Sequence, residues 1–327
     1  MIKKYFPGAN SGKGFFSRFS GIAPPWDEPH YTYVLKGGPG VGKSTLMKKV
    51  AERARAVGCD IEEFRCASDP DSLDAIRIVQ RRVVLLDGTS PHTIDPRMPG
   101  VLDETVNLGC FKNQKEFFEK REALERYAKM NSECYRTAYA CLAAAMTLKK
   151  EALVSVLAVI DKEKLQKYLS SVIGPTKKGE VRELFAKSVT PRGVVDYSKS
   201  YLRDGTLWLS GIVGEVAMEF AQSMLCGRHH TVCYDFVVPT LPQTLDTGER
   251  SIAIEKNGDD LSELLLSSVP HDALFCMSEA EKLVAQSVDS LSKALETHDK
   301  IEELYRPHVD YDKVSELCDL LVRRLEL

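Results

Sequence analysis

The strongest chemical signal in the chain is the run Gly37, Gly38, Pro39, Gly40, Val41, Gly42, Lys43, Ser44, Thr45. It follows the pattern GxxxxGK[ST]. Glycines let a backbone curl until its N–H groups converge on one anion with no side chain in the way. A helix opening at the end of the run would add unpaired N–H groups and the positive end of its dipole. The pattern therefore predicts a polyphosphate cradle. Gly38, Pro39, Gly40, Val41 and Gly42 form its wall. Lys43 is expected to reach the β- and γ-phosphates, Ser44 to offer its hydroxyl to Mg²⁺, and Thr45 to lie beside the α-phosphate.

A second element supports the first. Val83, Val84, Leu85, Leu86 and Asp87 read as a buried strand ending in a carboxylate. Asp87 is expected beside Ser44, on the metal side of the cradle. Gly88 follows it, so the carboxylate that would align an attacking water is not next in sequence. His92, Asp95, Asp103 and Glu104 are the downstream candidates for a proton acceptor, with His92 and Glu104 put forward beside Lys43 and Asp87. Asp69, Asp71 and Asp74 are expected to cap a short helix, with recognition of a substrate as the alternative.

These groups need elements to position them. Residues 31–36 are apolar and β-prone, and residues 43–57 are helical, with Leu46, Val50 and Ala54 at four-residue spacing and Gly58 as the stop. Residues 61–66 and 83–86 read as further strands. Strands alternating with helices imply a mostly parallel sheet. Residues 114–171 have no proline and predict two or three long helices, arranged as a hairpin outside the sheet.

The same order of elements recurs. Residues 5–19 align with 184–198, placing Phe6 on Phe185, Lys13 on Arg192 and Gly14 on Gly193. Residues 31–51 align with 206–225, placing Leu35 on Leu209 and Gly37 on Gly211. Residues 82–88 align with 250–256, placing Asp87 on Glu255. A helical stretch closes each half. The expected division is 1–175 and 176–327. In the second half Ala217 falls where the lysine should be, Met218 where the metal-binding hydroxyl should be, and Glu215 would repel phosphate, so that repeat is expected to be catalytically dead. One of the matched cations, Lys13 or Arg192, is expected to reach toward the γ-phosphate, Arg192 doing so from the second half.

Taken together, SGKGF at 11–15, LKGGPGVGKSTLMKK at 35–49, SDPDSLD at 68–74, the stretch 85–109 and SVTPRG at 188–193 resemble a bacterial family of duplicated P-loop proteins known as ATPases or ATP-binding proteins. The resemblance covers nearly the whole chain. It implies an α/β fold of two P-loop NTPase-like repeats, and ATP with Mg²⁺ as ligand. It names no substrate. Where the family keeps a second functional-looking loop, this chain has lost the lysine and the hydroxyl.

Composition sets the outer bounds. The chain has 327 residues, 43% apolar and 28% charged, with a net charge of −3. No global basic field favours nucleic acid or an anionic membrane. The opening MIKKYFPGANSGKG lacks the apolar core of a secretory signal, and the longest apolar stretch, at 153–160, is short of the ~20 residues that span a bilayer. Nine cysteines without a CxxC pair suit reduced, mostly buried thiols. The expectation is a cytoplasmic protein. Three activities fit: ATP hydrolysis driving a conformational cycle, phosphoryl transfer to a small-molecule or nucleotide acceptor, and nucleotide sensing without turnover. The partners expected are a nucleoside triphosphate and either a small-molecule acceptor or a protein.

Overall fold

The computed structural model describes residues 1–27, 29–113 and 118–327. The start of the predicted helical stretch, residues 114–117, lies outside them. The architecture is α/β. Among the described residues there are two mixed sheets, two small hairpins and six α-helices.

The first sheet has six strands: β1 (Ile2–Tyr5), β4 (Tyr31–Lys36), β5 (Ile61–Arg65), β6 (Leu73–Ile78), β7 (Val83–Asp87) and β8 (Asp103–Asn107). Their spatial order is β1-β5-β6-β7-β4-β8. The expectation of a mostly parallel sheet is corrected here. β5 pairs antiparallel with β6, and β6 antiparallel with β7, while β1–β5, β4–β7 and β4–β8 are parallel. The reason is chain length. Residues 66–72 and 79–82 are too short for the crossover of a dozen or more residues that a parallel link needs, so each closes as a hairpin.

The second sheet repeats this plan. Its strands are β9 (Val181–Phe185), β12 (Leu207–Leu209), β13 (His230–Tyr234), β14 (Pro242–Asp246) and β15 (Ser251–Ile254), in the order β12-β15-β14-β13-β9. β9–β13 and β12–β15 are parallel, and β13–β14 and β14–β15 antiparallel, which matches β1, β5, β6, β7 and β4 of the first sheet; β8 has no counterpart among the described residues. The hairpins β2 (Gly8–Ser11) with β3 (Gly14–Ser17), and β10 (Lys187–Thr190) with β11 (Gly193–Asp196), match as well. Ser11 donates to Gly14 C=O at 2.8 Å and accepts from Lys13 N–H at 3.1 Å. Thr190 makes the same two bonds to Gly193 and Arg192 at the same lengths. Strand register corrects one alignment: Leu35 lies opposite Asp87 and Leu209 opposite Ile254, so the counterpart of Asp87 is Ile254, not Glu255.

The helices are α1 (Lys43–Ala56), α2 (Arg121–Leu157), α3 (Lys162–Ile173), α4 (Gly211–Met224), α5 (His271–Tyr305) and α6 (Tyr311–Arg324). α2 does not fold back as a predicted hairpin within its own segment. It is one rod of 37 residues, about 55 Å long, packed along α5. Small buried residues, Ala138, Ala145 and Ala152 on α2 and Ala273, Ala280 and Ala294 on α5, permit the close approach.

The last helix of each half crosses over. α3 packs on α4, burying Leu165, Leu169 and Ile173 in the core that holds Val216 and Ala221. α6 packs on α1, burying Val314, Cys318 and Leu321 with Leu46, Met47 and Val50. Both start with the same cap: Asp161 accepts from Lys164 N–H at 3.1 Å and Asp310 from Lys313 N–H at 3.2 Å. Residues 162–173 and 311–324 thus each pack against a helix on the other side of the division at 175. Buried ion pairs join the two halves. Glu62 on β5 accepts from Arg77 at 2.9 Å and from Arg182 on β9 at 2.8 and 3.1 Å. All nine cysteines are free, but only Cys59, Cys233 and Cys318 are buried, fewer than expected.

Candidate functional site

Residues 37–42 link the end of β4 to the start of α1. Gly37, Gly40 and Gly42 have φ of 152°, 70° and 91°, values that residues with a Cβ rarely adopt. Close approach adds to the requirement: a Cβ on Gly37 would stand 2.8 Å from Val41 Cγ2. The chain therefore curls as the glycine spacing predicts. Gly42 is the N-cap of α1, and no side chain caps that end. The unpaired amides of its first turn and its positive dipole end face the loop.

Lys43 folds back over the loop. Its ammonium donates to Gly37 C=O at 2.6 Å and to Gly38 C=O at 3.1 Å, and it stands 3.4 Å from Asp87 Oδ2. The pairing of Leu35 with Asp87 puts that carboxylate beside the strand that leads into the loop. Asp87 Oδ1 accepts from Thr89 N–H at 2.9 Å and from the Thr89 hydroxyl at 2.6 Å, which fixes its orientation. Ser44 Oγ accepts from Leu73 N–H at 3.0 Å, tying the first turn of α1 to β6. Thr45 is exposed. Lys43, Ser44 and Asp87 are thus brought together at one end of the first sheet.

His92 joins this group. Its ring stacks on Phe19 with centroids 4.4 Å apart and lies 5.9 Å from Phe15. Both ring nitrogens are buried without a partner. Burial lowers its pKa, with the Asp87 charge opposing and the Lys43 charge reinforcing the shift. The burial favours the neutral imidazole.

Other candidates are held elsewhere. Glu104 pairs with Arg324 at 3.1 Å and accepts from the Tyr31 hydroxyl at 3.4 Å. It sits opposite Tyr33 on β4, two residues before Leu35, and so lies back toward the start of the strands, away from the loop. Asp95 pairs with Lys36 at 2.7 Å, and Asp103 accepts from Met98 N–H at 2.7 Å. Arg192 does reach the first half, where it pairs with Asp71 on the exposed rim between β5 and β6. Lys13 is exposed at its hairpin tip. Asp69 closes a turn by accepting from Asp71 N–H at 3.1 Å, and no helix follows it to be capped.

Asp74 is the residue that sequence reasoning misplaced. It is not a cap but a member of β6, 4% exposed. One position beyond the ladder pair Ala75–Leu86, it stands across from Asp87. One of its carboxylate oxygens has no partner. Burial, reinforced by the neighbouring Asp87 charge, pushes its pKa up to about 7.

The C-terminal segment supplies groups that no local pattern announces. Gly40 N–H donates to Glu302 Oε1 at 3.2 Å, and the Tyr311 hydroxyl donates to Gly40 C=O at 2.7 Å. A Cβ on Gly38 would stand 2.8 Å from Lys112 Nζ and 3.0 Å from the Tyr305 ring. These contacts join segments up to 271 residues apart, which is why spacing could not reveal them.

The second half has no loop at the matching place. α4 starts directly after β12, with Gly211 at φ 64° and Ala217 and Met218 fully buried within the helix. The expectation that residues 211–218 form a degenerate loop is corrected. Glu215 faces no phosphate space. It accepts from Lys149 Nζ at 2.8 Å and from Gln243 Nε2 at 3.3 Å, and Asp235 accepts from the same lysine at 3.1 Å. Burial disfavours the Lys149 charge, but the two carboxylates outweigh it and hold the ammonium protonated.

Comparison with family models, curated proteins and solved structures finds no match for this chain. Among the described residues, no helix is long and apolar enough to cross a membrane. Among the same residues, no cluster of three or more His, Cys, Asp or Glu side chains is placed to hold a metal by itself.

Proposed function

We propose that the chain binds ATP with Mg²⁺ at residues 37–45 and hydrolyses it, as one active and one inactive copy of a duplicated P-loop NTPase-like unit. The observation that carries this reading is the Lys43 ammonium, suspended over the glycine loop and within 3.4 Å of Asp87. Every donor that a polyphosphate needs is there: loop amides, the uncapped helix start and an ammonium. Ser44 and Asp87 offer the hard oxygen ligands that suit Mg²⁺, which would leave its other positions to water and phosphate. Bound there, the ion would neutralise charge on the phosphates. The matching strand plan and paired hairpins support duplication. Ile254 in place of Asp87 and the absence of a loop before α4 support inactivity of the second copy.

The reading is tested by titrating a fluorescent ATP analogue with Mg²⁺ into the full chain. Binding is expected, and Lys43→Ala is expected to abolish it. An unaffected Lys43→Ala variant would overturn the reading.

Asp74 favours a second reading, phosphoryl transfer to an acceptor hydroxyl. A buried carboxylate with a free oxygen suits a group that takes a hydroxyl proton as the oxygen attacks. Incubation with γ-labelled ATP and a metabolite pool separates the two: free phosphate marks hydrolysis, and a labelled metabolite marks transfer.

A further inference from the structure

Glu302 lies near the end of α5, and its carboxylate gathers two donors. Oε1 accepts from Gly40 N–H at 3.2 Å, and Oε2 accepts from Arg306 Nη2 at 2.7 Å. His298 Nδ1 is 4.0 Å from Oε1. The stem of Arg306 runs past the loop, since a Cβ on Gly40 would stand 3.5 Å from Arg306 Cγ, and its guanidinium meets the loop amide through the Glu302 carboxylate. Tyr311 holds the next peptide of the loop by donating to Gly40 C=O at 2.7 Å. A loop amide and an arginine from opposite ends of the chain thus converge on one anion.

A carboxylate oxygen and a phosphoryl oxygen ask the same of such donors. Resting on the nucleotide reading above, we propose that Gly40 N–H and Arg306 form a two-donor subsite for the outermost phosphate of a nucleoside triphosphate, and that Glu302 fills this subsite until the nucleotide arrives. An incoming triphosphate competes for both donors and repels the carboxylate. The Glu302 side chain is 23% exposed and has solvent to move into. Arg306 then exchanges a single carboxylate for a more highly charged anion. A diphosphate, one phosphate shorter, gains less from the exchange. Arg306 thereby takes the role that the sequence suggested for Arg192, whose partner is Asp71.

The test uses the full chain with Mg²⁺ and two fluorescent probes, a nucleoside diphosphate and a non-hydrolysable triphosphate analogue. Glu302→Gln is expected to tighten the triphosphate about tenfold and the diphosphate far less. Arg306→Ala is expected to weaken the triphosphate about tenfold, leaving the diphosphate unchanged, with Arg306→Lys in between. Both side chains are partly exposed, so circular dichroism should report an intact fold. A triphosphate-to-diphosphate preference identical to wild type in Glu302→Gln and Arg306→Ala would overturn the subsite. So would a Glu302→Gln variant that binds as wild type but turns over more slowly, which would mark Glu302 as a group of the reaction itself. Loss of both probes in Lys43→Ala checks the nucleotide reading separately. If neither wild type nor Glu302→Gln takes up either probe, both proposals fall.

Discussion

Phe6 and Phe185 exchange both of their main-chain hydrogen bonds, at 2.9 and 3.1 Å. The sequence alignment places each on the other, and a bridge between matching positions is what an approximate two-fold axis between two related halves would produce. Asn10 repeats the relationship by donating to the carbonyl of its own counterpart, Val189, at 3.1 Å. Residues that match in sequence meet in space only where such an axis passes.

The first prediction concerns this axis. Phe6 and Phe185 are both fully buried, Phe6 stacks on Tyr197, and Phe16 meets Phe185 edge-on. Phe185→Ala is expected to cost about 3–5 kcal/mol through lost burial and the cavity left behind. Urea unfolding should show a lower midpoint. A loss under about 1 kcal/mol would mean that the site collapses freely and the axis contributes little.

The second concerns acid stability. Burial alone would raise the Glu62 pKa, but Arg182 and Arg77 outweigh it and bring the carboxyl from 4.5 down to about 2. A depressed carboxylate contributes stability that is present above pH 4.5 and lost as the pH falls through 2. The amount is on the order of 3 kcal/mol. Glu62→Gln should lose its stability already at pH 7, because two arginines remain buried beside a neutral amide, and should then respond less to acid between pH 4.5 and 2. Denaturant titrations at pH 7 and pH 3 measure both effects. Parallel acid responses of variant and wild type would contradict the assignment.

Asp74 carries the opposite sign. Its folded pKa, about 7, lies above the ordinary 3.8. Stability is therefore full below pH 3.8 and declines as the pH rises through 7, where a buried charge must form. Asp74→Asn removes that charge while keeping the shape. The variant should match wild type near pH 4 and exceed it at pH 8 by on the order of 4 kcal/mol. Thermal unfolding at the two pH values would show the crossover. If Asp74 also takes the proton of the attacking oxygen, the same variant loses turnover while retaining nucleotide affinity. A stabilised variant with full turnover would confine Asp74 to a structural cost.

What could be read in advance followed the range of the forces involved. The loop, α1 and the strand ending at Asp87 were legible because a few neighbouring residues set their conformation. The similar strand plan of the two sheets was legible from the shared order of elements. The sheet directions were missed because the short connections at 66–72 and 79–82 decide them, not the strands' own residues. Glu255 was mistaken for the partner of Asp87 by one residue, a slip that only hydrogen-bond register exposes. Glu104 looked functional from its acidity, but its partner Arg324 lies 220 residues away. Glu302 and Arg306 are ordinary helix residues until α5 is placed against the loop, and Asp74 gains its meaning only from facing Asp87.

The crossing of the last helices also sets a timetable. Translation makes Gly40 262 residues before Glu302. At 5–20 residues per second that is a wait of roughly 13–50 s. Throughout the wait the nascent loop has neither the carboxylate that later rests on it nor the tyrosine that pins Gly40. α5 and α6 must then close over a loop already exposed to its surroundings, so a phosphate ligand of the kind proposed above would have the opportunity to arrive before Glu302.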